Sequence, residues 1–211
     1  MSPNPARTEP TDALRNTPIQ QRSATRVTRL LDAAATLIDE NGIDGLTTSD
    51  VAARSQSSVG VVYRYYPNIQ SLLLALAARN LERFMARTSE ILAKPGEAWL
   101  DGLDPVVDLA VEMSRTEPGF RQLRFGTIID QRFIEGRNAT NTQLAKNFTE
   151  FFSRRYDTPV TPELELDLEV VVEVSEALLQ RAFQVDKNGD ERFIEKTRTI
   201  LRTLLSEHAP K

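Results

Sequence analysis

Thr47-Thr48-Ser49-Asp50-Val51-Ala52-Ala53-Arg54-Ser55-Gln56-Ser57-Ser58-Val59-Gly60-Val61-Val62-Tyr63-Arg64-Tyr65-Tyr66-Pro67-Asn68 is the stretch on which the reading of this chain turns. Thr47 and Asp50, three residues apart, have the spacing of a capping box, in which a side chain and the backbone at a helix start satisfy each other's hydrogen bonds. They open a short helix through Val51, Ala52 and Ala53. Ser57 or Ser58 can cap a second helix, which Pro67 ends because the residue before a proline disfavours helical geometry. Two short helices joined by a tight polar turn are the arrangement in which one helix supports another that enters the major groove of DNA. On the second helix Val62 and Tyr66 share a face suited to a core, whereas Gly60, Val61 and Arg64 point away from it. Val59 falls near the core face of an ideal wheel. Small residues at Ser58 and Gly60 let a backbone approach a duplex, hydroxyls can donate to phosphates, and Arg64 supplies charge. Spacing alone leaves open a small amphipathic hairpin packed inside a larger bundle.

Working outward, Val27, Leu30, Leu31, Ala34, Leu37 and Ile38 recur at helical spacing, with Arg26, Arg29, Asp32 and Asp39 on the other side. Asn41-Gly42 ends that helix, since both tolerate a left-handed C-cap. Residues 1–21, with Pro3, Pro5, Pro10 and Pro18, read as a flexible arm carrying Arg7 and Arg15. Downstream, Asn68 caps a long helix ending near Lys94-Pro95-Gly96, and Asp104-Pro105 opens the next, to about Thr116. Helices are then expected from Phe120 to about Arg132, from Asn138 to Tyr156, from Thr161-Pro162-Glu163 to Phe183, and through Phe193, Ile194, Thr197, Ile200, Leu201, Leu204 and Leu205. No segment alternates as a strand does. The expected fold is all-α with about nine helices: an N-terminal three-helix helix-turn-helix unit over 22–69 and a larger helical domain over 70–211.

Composition sets outer limits. The chain has 211 residues, 40% hydrophobic and 27% charged, which suits a folded globular protein. Its longest apolar runs, such as Leu72 to Ala78, are too short to cross a bilayer and no charged-then-apolar leader opens it, so a cytoplasmic location and no membrane partner are expected. There is no cysteine and a single histidine, His208, so no metal site, no cofactor and no histidine or cysteine catalysis are expected. Net charge is −4, but residues 1–84 hold nine Lys or Arg against eight Asp or Glu, and residues 85–211 hold seventeen against twenty-two. A DNA-binding end attached to an acidic body is compatible with that asymmetry.

The segment resembles the tetracycline-repressor-like (TetR) family of transcriptional regulators. Gly60, Val62-Tyr63 and Tyr66-Pro67-Asn68 sit where that family's signature has a glycine, an apolar-tyrosine pair and a closing aromatic, and the helix Arg26 to Gly42 and the Thr47-Thr48 start also match, over about residues 24–75. Three positions depart from the pattern: Gln56 replaces the usual turn glycine and must adopt a left-handed conformation or alter the turn, Ser57 replaces an apolar residue, and Ile69 replaces a lysine that contacts phosphate. The resemblance implies that Thr48, Ser49, Ser58, Val59, Gly60, Val61, Tyr63, Arg64 and Tyr65 face double-stranded operator DNA. Val59 or Val61 would meet a thymine methyl group, and Tyr63 and Tyr65 would bind phosphates.

One recognition helix reads too few base pairs for useful specificity, so a homodimer is expected, with half-sites about 34 Å apart. The helix from Thr161 is apolar on two faces: Leu164, Leu168, Val171, Leu178 and Ala182 on one, Leu166, Val170, Val174 and Ala177 on the other. The second face, with Ile200 and Leu204, is the candidate dimer interface. For a small-molecule effector the candidates are Trp99, Met113, Phe120, Arg124, Phe125, Phe148 and Phe152, residues that equally suit plain core. Residues 70–211 are thus expected to bind an effector and to dimerise. The expected function is a ligand-responsive repressor rather than an enzyme. The alternatives are a helical adaptor that uses the module for protein contacts, or a helical enzyme built on Glu163, Glu165, Asp167, Glu169, Glu173 and Glu176, which read as a solvated face without the histidine partner of a di-metal site.

Overall fold

Caps decide where the helices start. The computed structural model describes residues 13–93, 100–123, 134–157 and 159–208, with side chains placed from Arg22 in the first helix and from Asn141 in the sixth. The elements are α1 (Ala13–Asn41), α2 (Thr48–Arg54), α3 (Val59–Tyr65), α4 (Ile69–Leu92), α5 (Leu103–Thr116), α6 (Ile134–Tyr156), α7 (Pro162–Val185), α8 (Glu191–Leu205) and a closing 3-10 turn, Ser206–His208. No strand occurs among the described residues. Asn68 caps α4 by accepting from the Ser71 N–H at 2.8 Å, and Thr161 caps α7 by accepting from the Leu164 N–H at 3.2 Å, with Pro162 in the first turn where no N–H is needed. Gly42, at φ +79°, closes α1 by donating to the Ile38 carbonyl.

Three expectations change. First, α1 begins at Ala13, so its first turns occupy a stretch expected to be arm; proline content averaged over 21 residues hid a boundary inside them. Second, α5 starts at Leu103 after Gly102, not behind an Asp104 cap. Asp104 instead takes a bidentate pair from Arg202 of α8, at 3.1 and 2.8 Å. Third, Phe120 does not open a helix: residues 119–123 form turns, and the rest of that expected helix, at 124–133, lies outside the described residues.

Two cores result. The first packs Leu30, Ala34 and Ile38 of α1 with Val51 of α2, Val62 of α3 and Leu72 and Leu76 of α4. The second packs Phe84 and Leu92 of α4 with α5 to α8, around Met113, Leu144, Leu168, Leu179, Ile194 and Leu205. Each large apolar side chain taken fully out of water contributes about 1.5–3 kcal/mol, so each core can hold its own helices. They are joined by α4, which runs through both, and by the turn after α5. In that turn Phe120 is fully buried in the second core and Leu123, three residues on, in the first. Immediately before Phe120, Gly119 sits at φ +70°, and a Cβ there would stand 3.0 Å from the Ala35 carbonyl oxygen of α1. Both the conformation and the close approach require glycine.

Gly119→Ala should therefore lower unfolding stability by about 1–3 kcal/mol, measured by urea denaturation. A loss indistinguishable from zero would mean that α1 yields to the turn.

Candidate nucleic-acid interface and effector cavity

The capping box expected at Thr47 forms: the Asp50 N–H donates to Thr47 Oγ1 at 3.2 Å, and the Thr47 N–H and hydroxyl donate to Asp50 Oδ2 at 2.9 and 2.6 Å. Those donors, the Thr47 hydroxyl foremost, hold the Asp50 carboxyl below the usual carboxylate range. At the other end of α2, Arg54 reaches Glu40 of α1 with both terminal nitrogens, at 2.9 and 2.5 Å. So α2 is fixed at both ends, by its own cap and by α1. In the turn, Gln56 has φ +53°, the left-handed one of the two alternatives its place in the sequence left open. Ser57 is half-buried, and Ile69 packs against the first core instead of reaching outward as a lysine would.

On α3 the anchors are Val62 and Tyr66, both buried as their spacing required. Burial raises the Tyr66 phenol above its ordinary range, against the lowering effect of the nearby Arg79 charge. The opposite face is open. Ser49, Ser58, Gly60 and Arg64 are exposed, Val61 is half-buried, and Val59 and Tyr63 are 37% and 52% exposed. Val59 thus falls outside the core, which the ideal wheel left ambiguous. Nothing lies within 4 Å of a Cβ built on Gly60, so the fold itself has no need of a glycine there.

Two of the nine residues are placed differently. Thr48 is buried, and its hydroxyl donates to the Tyr63 hydroxyl at 3.2 Å. That bond leaves the Tyr63 proton to be donated elsewhere, so Thr48 positions Tyr63 rather than facing solvent. Tyr65 is half-buried against the first core, its hydroxyl 3.3 Å from Ser23 Oγ of α1. Both side chains serve the joint between helices, a use that a helical wheel drawn for α3 alone does not display.

Charge on this unit is sorted by sign. Asp32, Asp39 and Glu40 pair with Arg79, Arg121 and Arg54. Arg22, Arg26 and Arg29, at i, i+4 and i+7 on α1, are exposed and have no ion-pair partner among the described residues, and neither has Arg64. The near-zero charge of residues 1–84 conceals four uncommitted cations. Sequence reading had treated Arg26 and Arg29 only as the polar side of α1; their spacing with Arg22 was the available signal.

In the second core a cavity of about 70 Å³ lies between α4 to α8, lined by apolar side chains including Leu92, Phe148, Phe152 and Leu168, with Ser175 and Glu176 as the polar residues in its wall. Of the effector candidates, Phe148 and Phe152 line it. Met113 and Phe120 are buried in the surrounding core and do not line the cavity, while Trp99, Arg124 and Phe125 lie outside the described residues. Glu176, expected on a solvated face, is 6% exposed. On the remaining face of α7, Leu166 is 60% exposed, Ala177 is exposed and Val170 and Val174 are half-buried. On α8, Ile200 and Leu204 are half-buried, Leu204 against its own core.

Residues 30–76 match the family described as bacterial regulatory proteins, tetR family, and residues 97–209, more than half of the chain, match tetracyclin repressor-like, C-terminal domain. The chain belongs to the TetR family of transcriptional regulators. A crystal structure of a TetR-family regulator from Streptomyces coelicolor is 38% identical, with a TM-score of 0.75 over 87% of this chain and 99% of that one. The repressor KstR of Rhodococcus jostii is 29% identical over 90 residues, 43% of this chain and 41% of KstR, so the match spans less than half of that relative. The regulator FadR from Bacillus subtilis, in complex with stearoyl-CoA, shares the fold at 16% identity, with a TM-score of 0.67 over 85% of this chain and 97% of that one. In this TetR regulator an N-terminal helix-turn-helix unit is followed by a C-terminal helical domain. Among the described residues no helix is long and apolar enough to cross a membrane.

Replacing Thr47 with Ala removes the α2 cap and should cost about 1 kcal/mol of stability, read by thermal unfolding. Gly60→Ala should instead stabilise the fold by about 0.5–1 kcal/mol, because a Cβ there meets nothing within the chain.

Proposed function

We propose that the protein is a ligand-responsive repressor that binds a palindromic operator as a homodimer and releases it when a small molecule enters the C-terminal domain. The observation that carries the reading is the open face of α3. A glycine that the fold does not need stands among exposed Ser58, Val59, Tyr63 and Arg64, on a helix anchored from behind by Val62 and Tyr66. A position that tolerates a side chain internally yet has none suits close approach by something external. In this reading α3 lies in the major groove, with Gly60 against the duplex and Val59 or Val61 against a thymine methyl. Tyr63, already accepting from Thr48, donates to a phosphate, and Ser49, Ser58 and Arg64 supply further backbone contacts. Arg22, Arg26 and Arg29 extend the positive surface along α1.

The apolar stripe Leu166, Val170, Val174 and Ala177 of α7, with Ile200 of α8, is the surface for the second copy. An uncovered stripe on a helix whose other face is buried is costly in water, and isologous pairing would remove it. The cavity beside Phe148 and Phe152 is the effector site. Bound stearoyl-CoA in FadR from Bacillus subtilis supports such a use of the fold. The turn that puts Phe120 in one core and Leu123 in the other is a route by which filling the cavity shifts the DNA-binding units. A DNA-binding regulator without enzymatic chemistry, working in the cytoplasm, follows from the same reading.

The deciding measurement is gel retardation with the gene's own upstream DNA at moderate salt. A folded dimer that retards no promoter-proximal fragment would overturn the proposal. Gly60→Ala should weaken retardation by about tenfold or more, equivalent to ~1.4 kcal/mol, although the fold gains stability. Arg64→Ala should lower affinity across all sequences and reduce the slope of log affinity against log salt by about 0.9 for every phosphate that Arg64 neutralises. Leu166→Glu combined with Val174→Glu should yield a folded monomer in analytical ultracentrifugation.

A further inference from the structure

One face of α1 carries charge that the fold does not use. Arg22, Arg26 and Arg29 stand at i, i+4 and i+7, within about 60° of one another round a helix of ~3.6 residues per turn. All three are exposed, and among the described residues none has an ion-pair or hydrogen-bond partner. Two contacts fix which way that face looks. Glu40 lies 18 residues beyond Arg22, about five whole turns, so it continues the same face, and its two carboxylate oxygens accept from the two terminal nitrogens of Arg54 of α2. Ser23, beside Arg22, meets Tyr65 at the end of α3, with 3.3 Å between the hydroxyl oxygens. Asp32 and Asp39 lie about a quarter-turn away and reach Arg79 of α4 and Arg121. The arginine face is therefore the flank of α1 turned toward the helix-turn-helix, and the acidic flank is turned toward α4 and the joint.

We propose that this stripe is a phosphate clamp, which grips the duplex backbone beside the groove that α3 occupies and adds affinity without reading sequence. This rests on the DNA-binding reading of α3 and gives α1 its own part of the same surface. A helix with its side chains is about 10–12 Å across and the major groove about 12 Å wide, so α3 fills the groove and a helix alongside it meets the sugar-phosphate wall. From Arg22 to Arg29 the stripe is about 10 Å long at ~1.5 Å per residue, while one strand presents a phosphate every ~3.4 Å along the duplex axis. Successive arginines thus have separate phosphates within reach. A guanidinium offers a fork of donors that matches two phosphate oxygens, and one with no internal partner gives up no ion pair when it engages them. Of the acids in residues 22–76, Asp32, Asp39, Glu40 and Asp50 already hold partners, and Asp44 lies beyond the far end of α1.

Duplex binding by the full chain tests this, in the wild type and in Arg22→Gln, Arg26→Gln and Arg29→Gln combined, followed by fluorescence anisotropy across about 50–200 mM salt. Two duplexes of equal length are used, a fragment of the gene's own upstream DNA and an unrelated sequence. In the variant, checked for its fold by circular dichroism, the slope of log affinity against log salt should fall by at least about 1.8 on both, the equivalent of two phosphates at ~0.9 each. Affinity should fall by the same factor on both, so that the ratio between them changes by less than about threefold. Lysine at all three positions should restore most of the slope, because it remains a phosphate-binding cation. A smaller fall in slope, a loss confined to the upstream fragment, a lysine variant no better than the glutamine one, or a wild type that binds neither duplex at low salt would each overturn the clamp. Should the triple variant not fold, the single substitutions replace it, each lowering the slope by about 0.9. The clamp and the repressor reading fail separately. A slope lost on unrelated DNA with no upstream fragment preferred keeps the clamp and removes the repressor, whereas a preferred fragment bound with an unchanged slope does the reverse.

Discussion

The turn from Glu117 to Leu123 is the constraint on which the two halves of the molecule depend. Phe120 and Leu123, three residues apart, are buried in two separate cores, and Gly119, just before Phe120, brings the turn hard against Ala35 of α1 at φ +70°. Phe120 closes the second core and Leu123 closes the first. Around this joint Arg121 reaches Asp39 of α1, and Glu117 lies within 3.6 Å of Arg83 and Arg87 of α4. At 3.5–3.6 Å and with Glu117 and Arg121 only partly buried, these pairs contribute less than the apolar insertions at the joint. Packed interiors shift between discrete arrangements instead of stretching smoothly.

The same economy governs the surface of the DNA-binding unit. Its acids are committed to structure: Glu40 holds Arg54, Asp32 holds Arg79, Asp39 holds Arg121, and Asp50 caps α2. Besides Asp44, what remains facing water is positive, along α1 and at Arg64. A chain of net charge −4 can thus carry a cationic face, because a phosphate backbone responds to local potential rather than to the sum over the molecule. The bond from Thr48 to Tyr63 extends the pattern to neutral groups. A buried hydroxyl orients an exposed one, so the outward side chain has fewer rotamers to lose on binding.

In the C-terminal domain α7 is asked to do two things. One face closes the core with Leu164, Leu168, Leu179 and Ala182, and the other leaves Leu166 open to water. Glu176 interrupts the buried face, and a carboxylate taken out of water needs hydrogen-bonding partners, of which Asn141 is one.

The amino-acid sequence by itself determined most of the helices and the helix-turn-helix, because those follow from local rules. The Thr47–Asp50 spacing, the Asn68 and Thr161 caps, the left-handed Gln56 and the Val62–Tyr66 anchor face depend on residues within a few positions of one another. Only the tertiary structure decided which polar residues were already occupied. Thr48 and Asp104 meet partners 15 and 98 positions away, in Tyr63 and Arg202, and Glu176 meets Asn141 35 positions away. It also decided that Phe120 and Leu123 part company between two cores, which no periodicity encodes because a turn has none. Local hydrogen bonding and hydrophobic period are written along the chain, whereas burial of a side chain depends on which distant helix arrives to cover it.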